Sequence, residues 1–230
     1  MAETAYGEPF DVWMNKGSAR PRQVQVRHLR PRGPGMGGGP IRLALPTILD
    51  GVEFLRQQIE DHTPLIQADL CVGINPPGLM IATILASRLR HGRRAIGFIP
   101  IGEDHAVRKE GVAIPDPDLD PVRSILVVDR EVKTGRALRN VLECLRVYDF
   151  WDPHPRIAVL VAGDVTRVIT HVQQLMEGAG GPSKLEEHHL PDFIAFTAPT
   201  NTQICLEAWT PGGHDADGCC LARSRTRRTE

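Results

Sequence analysis

Ser124–Ala137 (SILVVDREVKTGRA) runs an unbroken apolar stretch into an acid, a Thr-Gly turn and the start of a helical pattern. A run of that kind has no polar face, so the strand it forms is buried on both sides. Such a strand needs helices above and below the sheet, and helices placed between successive strands make those strands parallel. One short segment therefore steers the whole chain towards an α/β fold.

The flanking sequence supplies the partners. Ile48, Val52, Leu55 and Ile59 recur at helical spacing, which predicts an amphipathic helix over 47–62. Leu70–Ile74 is a short apolar strand broken by Asn75-Pro76-Pro77-Gly78, and Ile81, Leu85 and Leu89 mark the next helix. Ala95–Ile101 predicts a further strand, and residues 102–123, with charges and several prolines, predict a long exposed loop. After the central strand, Leu138, Val141, Leu142 and Leu145 mark a helix and Ile157–Ala162 a strand. Val165, Val168, Ile169 and Val172 predict a helix at 164–177, and Phe193–Phe196 and Gln203–Leu206 two short closing strands. This alternation predicts a mainly parallel, doubly wound sheet, whose ligands bind beyond the carboxyl ends of the strands.

The ends read differently. Residues 16–40 are rich in Arg, Pro and Gly, so 1–40 is expected to be a flexible arm. Residues 211–230 are polar and carry Arg223, Arg225, Arg227 and Arg228, which predicts a disordered basic tail. Between them, 41% of the 230 residues are apolar, enough for one sizeable core, and the net charge of −1 excludes a uniformly basic protein. There is no long apolar run for a membrane span and no secretory pattern at the N-terminus. The five cysteines lack framework spacing, so a reduced, cytoplasmic protein is expected, with Cys71 a core residue. The pairs His188-His189 and Cys219-Cys220 lack the ligand spacing of a zinc site. Neither a dinucleotide-binding glycine pattern nor an ATP-binding P-loop is present.

The chemistry concentrates at Lys133–Ala137. Glycine at Gly135 lets the backbone wrap closely, and the amides that open a helix carry partial positive charge. A phosphate monoester suits such a turn. The Thr134 hydroxyl can donate to it, and Lys133 and Arg136 add charge.

With these residues in view, VVDREVKTGRAL resembles the PRPP-binding motif of type I phosphoribosyltransferases. Asp69–Leu79 (DLCVGINPPGL) is similar to that family's first strand and pyrophosphate loop, the 102–123 stretch to its catalytic loop, and PDFIAFTAPTNTQICLEAWTP to the C-terminal hood of xanthine/guanine-type members. The resemblance implies a type I phosphoribosyltransferase fold over 41–210 with a small hood at 185–210, and a homodimer. It implies that Lys133, Thr134, Gly135, Arg136 and Ala137 hold the 5-phosphate of PRPP or of a purine nucleoside 5'-monophosphate. It places Asn75, Pro76, Pro77 and Gly78 beside pyrophosphate, Ile204 and Trp209 at the nucleobase, and Asp129 on a ribose hydroxyl or on Mg²⁺. Arg130, Lys133, Arg108 and Lys109 are the cations from which catalytic help would come.

The chain also departs from the family pattern. Arg130 replaces the second acid, and Glu131 follows one position late with its side chain expected on the other side of the strand. Lys133 stands where purine-type members often place an acid, and Ala137 replaces a hydroxyl residue. Pro76 and Pro77 remove backbone donors from the pyrophosphate loop. Two readings follow: a nucleobase phosphoribosyltransferase, or a catalytically inactive relative that senses a nucleotide or PRPP. A third reading is an RNA-binding regulator, drawn from Arg20, Arg22, Arg27, Arg30 and Arg32 together with the basic tail.

Overall fold

The computed structural model describes residues 6–14, 22–29, 41–62, 68–89, 94–115, 122, 124–133, 135–147, 155–163, 191–199, 202 and 204–206. Their elements in chain order are β1 (Tyr6–Met14), β2 (Arg22–Leu29), β3 (Ile41–Leu43), α1 (Leu45–His62), β4 (Leu70–Ile74), α2 (Asn75–Arg88) and β5 (Ala95–Ile99). There follow β6 (Ile125–Val132), α3 (Arg136–Val147), β7 (Arg156–Ala162), β8 (Phe193–Thr197) and β9 (Ile204–Leu206). Seven strands form one sheet in the order β1-β2-β8-β7-β6-β4-β5, and β3 pairs with β9 apart from it. From β2 to β5 every neighbouring pair is parallel; β1 alone runs antiparallel, against β2. The mainly parallel α/β sheet expected from the sequence is present.

Alternate residues of each central strand go to opposite faces. Cys71, Leu126, Val128, Ala158 and Leu160 share one apolar cluster with α1 and α2. Leu70, Val72, Val127, Ile157 and Val159 share the other with α3. Helix α1 buries Ile48, Val52, Leu55 and Ile59, and α3 buries Leu138, Val141, Leu142 and Leu145. Each such side chain contributes roughly 2 kcal/mol on burial, so these stripes hold the helices to the sheet. Burial raises the Cys71 thiol to about 12, as suits an inert core residue. No helix among the described residues is long and apolar enough to cross a membrane.

Three expectations need correction. Residues 6–14 and 22–29, placed in a flexible arm, form β1 and β2, with β2 extending the parallel sheet through Arg27↔Phe196 and His28↔Thr197. The physical reason is anchoring on both faces: Leu29 is fully buried in one apolar cluster and Val26 in the other, and the Arg27 guanidinium lies 5.1 Å from the Tyr6 ring centroid and 4.4 Å from that of Phe54. The Gln58 side-chain amide donates to Gln25 and Ile194 carbonyls at 3.0 and 2.8 Å, tying both strands to α1. The second correction concerns the hood. Phe193–Thr197 is buried throughout because β8 lies inside the main sheet, leaving Ile204–Leu206 against Ile41–Leu43 as the separate pair. Third, β5 ends at Ile99 and not at Ile101; the loop that follows is exposed as expected, and its residues 101–114 fold back on the strand. Ile101 bridges Val107, Ala113 bridges Phe98, and Lys109–Gly111 is one 3-10 turn. The proposed helix 164–177 and the tail 211–230 lie outside the described residues.

Candidate functional site

From β4 the chain passes through α2 to β5 on one side, then returns to β6 on the other side of β4 and continues outward to β7. The crevice beyond the carboxyl ends of β4 and β6 is therefore where strand order reverses, the place ligands occupy in sheets of this class. Both turns singled out in the sequence lie there.

The turn after β6 has room for a side-chain carbon, although Gly135 itself is buried. Gly135 has φ +72°, and its carbonyl accepts the Arg139 N–H at 3.0 Å, so it is the residue from which α3 starts. A β-carbon built there would meet nothing within 4 Å. Room above the glycine thus coincides with the end of α3 where the amides lack helical partners. Lys133 and Arg136 are exposed and Ala137 is half-buried. Thr134 lies outside the described residues.

The turn after β4 is closed. Helix α2 begins at Asn75, directly after Ile74, and Pro76 and Pro77 lie in its first turn. No loop intervenes. NPPG looks like a break in the sequence, yet proline is well suited to a first helical turn, where its missing donor costs no helical bond. Asn75 has φ +57°, a left-handed conformation that asparagine tolerates. Its Oδ1 accepts the Ile101 N–H at 2.7 Å, binding the helix start to the chain leaving β5. A β-carbon at Gly73 would lie 2.3 Å from the Leu79 Cα, and one at Gly78 would lie 2.8 Å from the Val128 oxygen and 3.5 Å from the Asp129 Cα. Gly78 therefore lets α2 press against β6 beneath Asp129, which brings the two motifs together.

Asp129 is buried, and its carboxylate accepts the Arg130 N–H at 2.7 Å. Loss of water raises its carboxyl to about 7, against the pull of that amide and of the Arg130 charge. Glu131 is engaged by two cations: Lys133 Nζ at 3.1 Å and Arg130 Nη2 at 3.6 Å. Strand alternation turns Glu131 away, yet it is the counter-ion of the site, and the R-E-x-K spacing is the available signal. These donors do not fit a protein-held Mg²⁺. One carboxyl is buried, the other is shared by two cations, and a hard divalent ion wants several free oxygens. Among the described residues, no group of three or more His, Cys, Asp or Glu side chains is placed to hold a metal.

The remaining expected residues are dispersed. Arg108 is tied within its own excursion, to Asp104 at 2.8 Å. Lys109 lies near Cys144, where its charge opposes the upward shift that burial gives the thiol. Cys144 is eight residues along α3 from Arg136, roughly 12 Å from the open turn. The excursion is held to α3 from its other end as well, the Asn140 amide donating to the His105 carbonyl at 2.7 Å. Ile204 is 1% exposed and packs in the core, so its side chain presents no open face to a base. Trp209 lies outside the described residues.

Among the solved structures similar to this chain are two phosphoribosyltransferases. One is a purine phosphoribosyltransferase from Pyrococcus horikoshii, 17% identical, covering 74% of this chain and 93% of its own, with a TM-score of 0.46. The other is a xanthine-guanine-hypoxanthine phosphoribosyltransferase from Helicobacter pylori, 17% identical, covering 73% and 91%, with a TM-score of 0.48. No family model and no curated protein matches. Both scores lie below 0.5, so what the chain does has to be read from its own residues.

Proposed function

We propose that this chain is a type I phosphoribosyltransferase-like protein that binds PRPP or a purine nucleoside 5'-monophosphate, with the 5-phosphate at Lys133–Ala137. The observation that carries the reading is the glycine turn at the head of α3, at φ +72° and with open space above it, beyond the strand-order reversal of a parallel sheet. Asp129, three residues before the end of the same strand, is the acid for a ribose hydroxyl. Isothermal titration with GMP and PRPP tests the assignment. Thr134→Ala combined with Gly135→Val abolishes binding while circular dichroism stays native. Unchanged affinity in that double variant discards the site.

If transfer occurs, the ribosyl–pyrophosphate C–O bond breaks, a C–N bond to the nucleobase forms, the nucleobase N–H proton is released, and pyrophosphate leaves. A second reading, binding without transfer, is favoured by the closed turn after β4. Two prolines in the first turn of α2 withdraw the amides that a pyrophosphate group would need. Pyrophosphate release from PRPP with a panel of purines separates the two readings. Silence in the wild type with turnover gained in Arg130→Asp selects the second. A homodimer comes with the same resemblance, and sedimentation measures it. The RNA-binding alternative rests mostly on arginines outside the described residues, and salt-insensitive RNA retention removes it.

A further inference from the structure

The cations at the end of β6 are gathered by one acid. Glu131 Oε1 contacts Lys133 Nζ at 3.1 Å and Glu131 Oε2 contacts Arg130 Nη2 at 3.6 Å. The Glu131 side chain is 10% exposed, whereas those of Arg130 and Lys133 are 30% and 45% exposed. The acid is thus enclosed and the cations stay accessible. Two cations thus share this one acid at the strand end that leads into the Gly135 turn.

We propose that the turn after β6 takes its phosphorylated ribose ligand without a divalent cation, with Arg130 and Lys133 providing the positive charge and Glu131 holding them at the strand end. This rests on the ligand class proposed above and adds to it the way the ligand's charge is met. Water-exposed ion pairs are weak. A phosphate carries more charge than a carboxylate and offers more acceptor oxygens, so it competes well for the same cations. A metal ion arriving at the same place meets two fixed cations near the acid it would coordinate, and like charges oppose it. The replacement of an acid by Arg130 and the presence of Lys133 then belong to one arrangement: the chain carries its own counter-charge.

The test is titration of the full chain with GMP and with PRPP, in EDTA and then in Mg²⁺. Affinity in EDTA is within about threefold of that in Mg²⁺ and weakens as salt rises. Arg130→Asp weakens metal-free binding roughly tenfold, and Mg²⁺ restores part of it. Glu131→Gln, which releases both cations from the strand end, weakens metal-free binding by about threefold. Lys133→Gln, on an exposed side chain, replaces Arg130→Asp if that variant does not fold. Binding that requires Mg²⁺ overturns the inference and leaves the ligand assignment standing. Unchanged metal-free affinity in Arg130→Asp or Lys133→Gln overturns it as well. Absence of binding in both buffers removes the ligand assignment, and this inference with it.

Discussion

The turns after β4 and β6 stand side by side at the same end of the sheet, and each feeds a strand directly into a helix. They solve the junction in opposite ways. After β4, two glycines let backbone press on backbone, two prolines fill the first helical turn, and an asparagine side chain latches the neighbouring segment. After β6, a single glycine at positive φ leaves space, and a cluster of Arg130, Glu131 and Lys133 precedes it. In one turn glycine serves packing and in the other it serves access. The same residue type therefore says little about function until its surroundings are known.

That contrast can be broken by substitution. Gly73→Ala carries the largest expected effect: its β-carbon would lie 2.3 Å from the Leu79 Cα, and backbone has no easy escape. A loss of about 3 kcal/mol or more in urea denaturation follows. A loss near that of Gly135→Ala would mean the first turn is not closed by packing.

Next comes Asp129, between the two turns. Its carboxyl is raised in the folded state from 3.8 to about 7, so the folded chain holds a proton that the unfolded chain releases. The burial penalty is absent below pH 4, grows as pH rises through that window, and is complete above about pH 7. Asp129→Asn removes the slope and is more stable than wild type at pH 8. Thermal melts from pH 4 to 8 measure it, and parallel curves for the two proteins would refute the burial argument.

Gly135→Ala follows, at about 1 kcal/mol, because an alanine there meets no atoms but must adopt a left-handed backbone. Its stability loss is smaller than that of Gly73→Ala, while its loss of GMP affinity is larger. The reverse order would exchange the roles of the two turns. The smallest effect is that of Pro76→Ala with Pro77→Ala, a loss of about 0.5 kcal/mol from a freer unfolded chain. The same double variant restores two amides and gains measurable affinity for pyrophosphate. No gain would show that the missing donors are not what closes that turn.

Much of the sheet was legible because its central strands are buried on both faces and therefore appear as plain apolar runs. Leu70–Ile74, Ile125–Asp129, Ile157–Ala162 and Phe193–Phe196 all stand out this way. β2 did not, because RQVQVRHL is polar at alternate positions and its stability comes from Arg27, Gln58 and the rings of Tyr6 and Phe54, distant in sequence. The excursion after β5 was missed for a similar reason: its order depends on Asn75 and Asn140, single side chains on other elements. At the site, Gly135 was readable because a Thr-Gly turn after a strand suggests positive φ. The part played by Glu131 was not, since strict strand alternation sends it away from Arg130 and only the geometry at the strand end brings the three charges together.

The docking of β2 on β8 has a practical corollary for anyone who shortens the chain. Cutting at residue 40, where composition suggests a boundary, would strip the outer hairpin from β8 and turn FIAFT into a bare border. Its unmet amides and carbonyls, set among phenylalanines and isoleucine, would seek another strand, and the trimmed protein would self-associate.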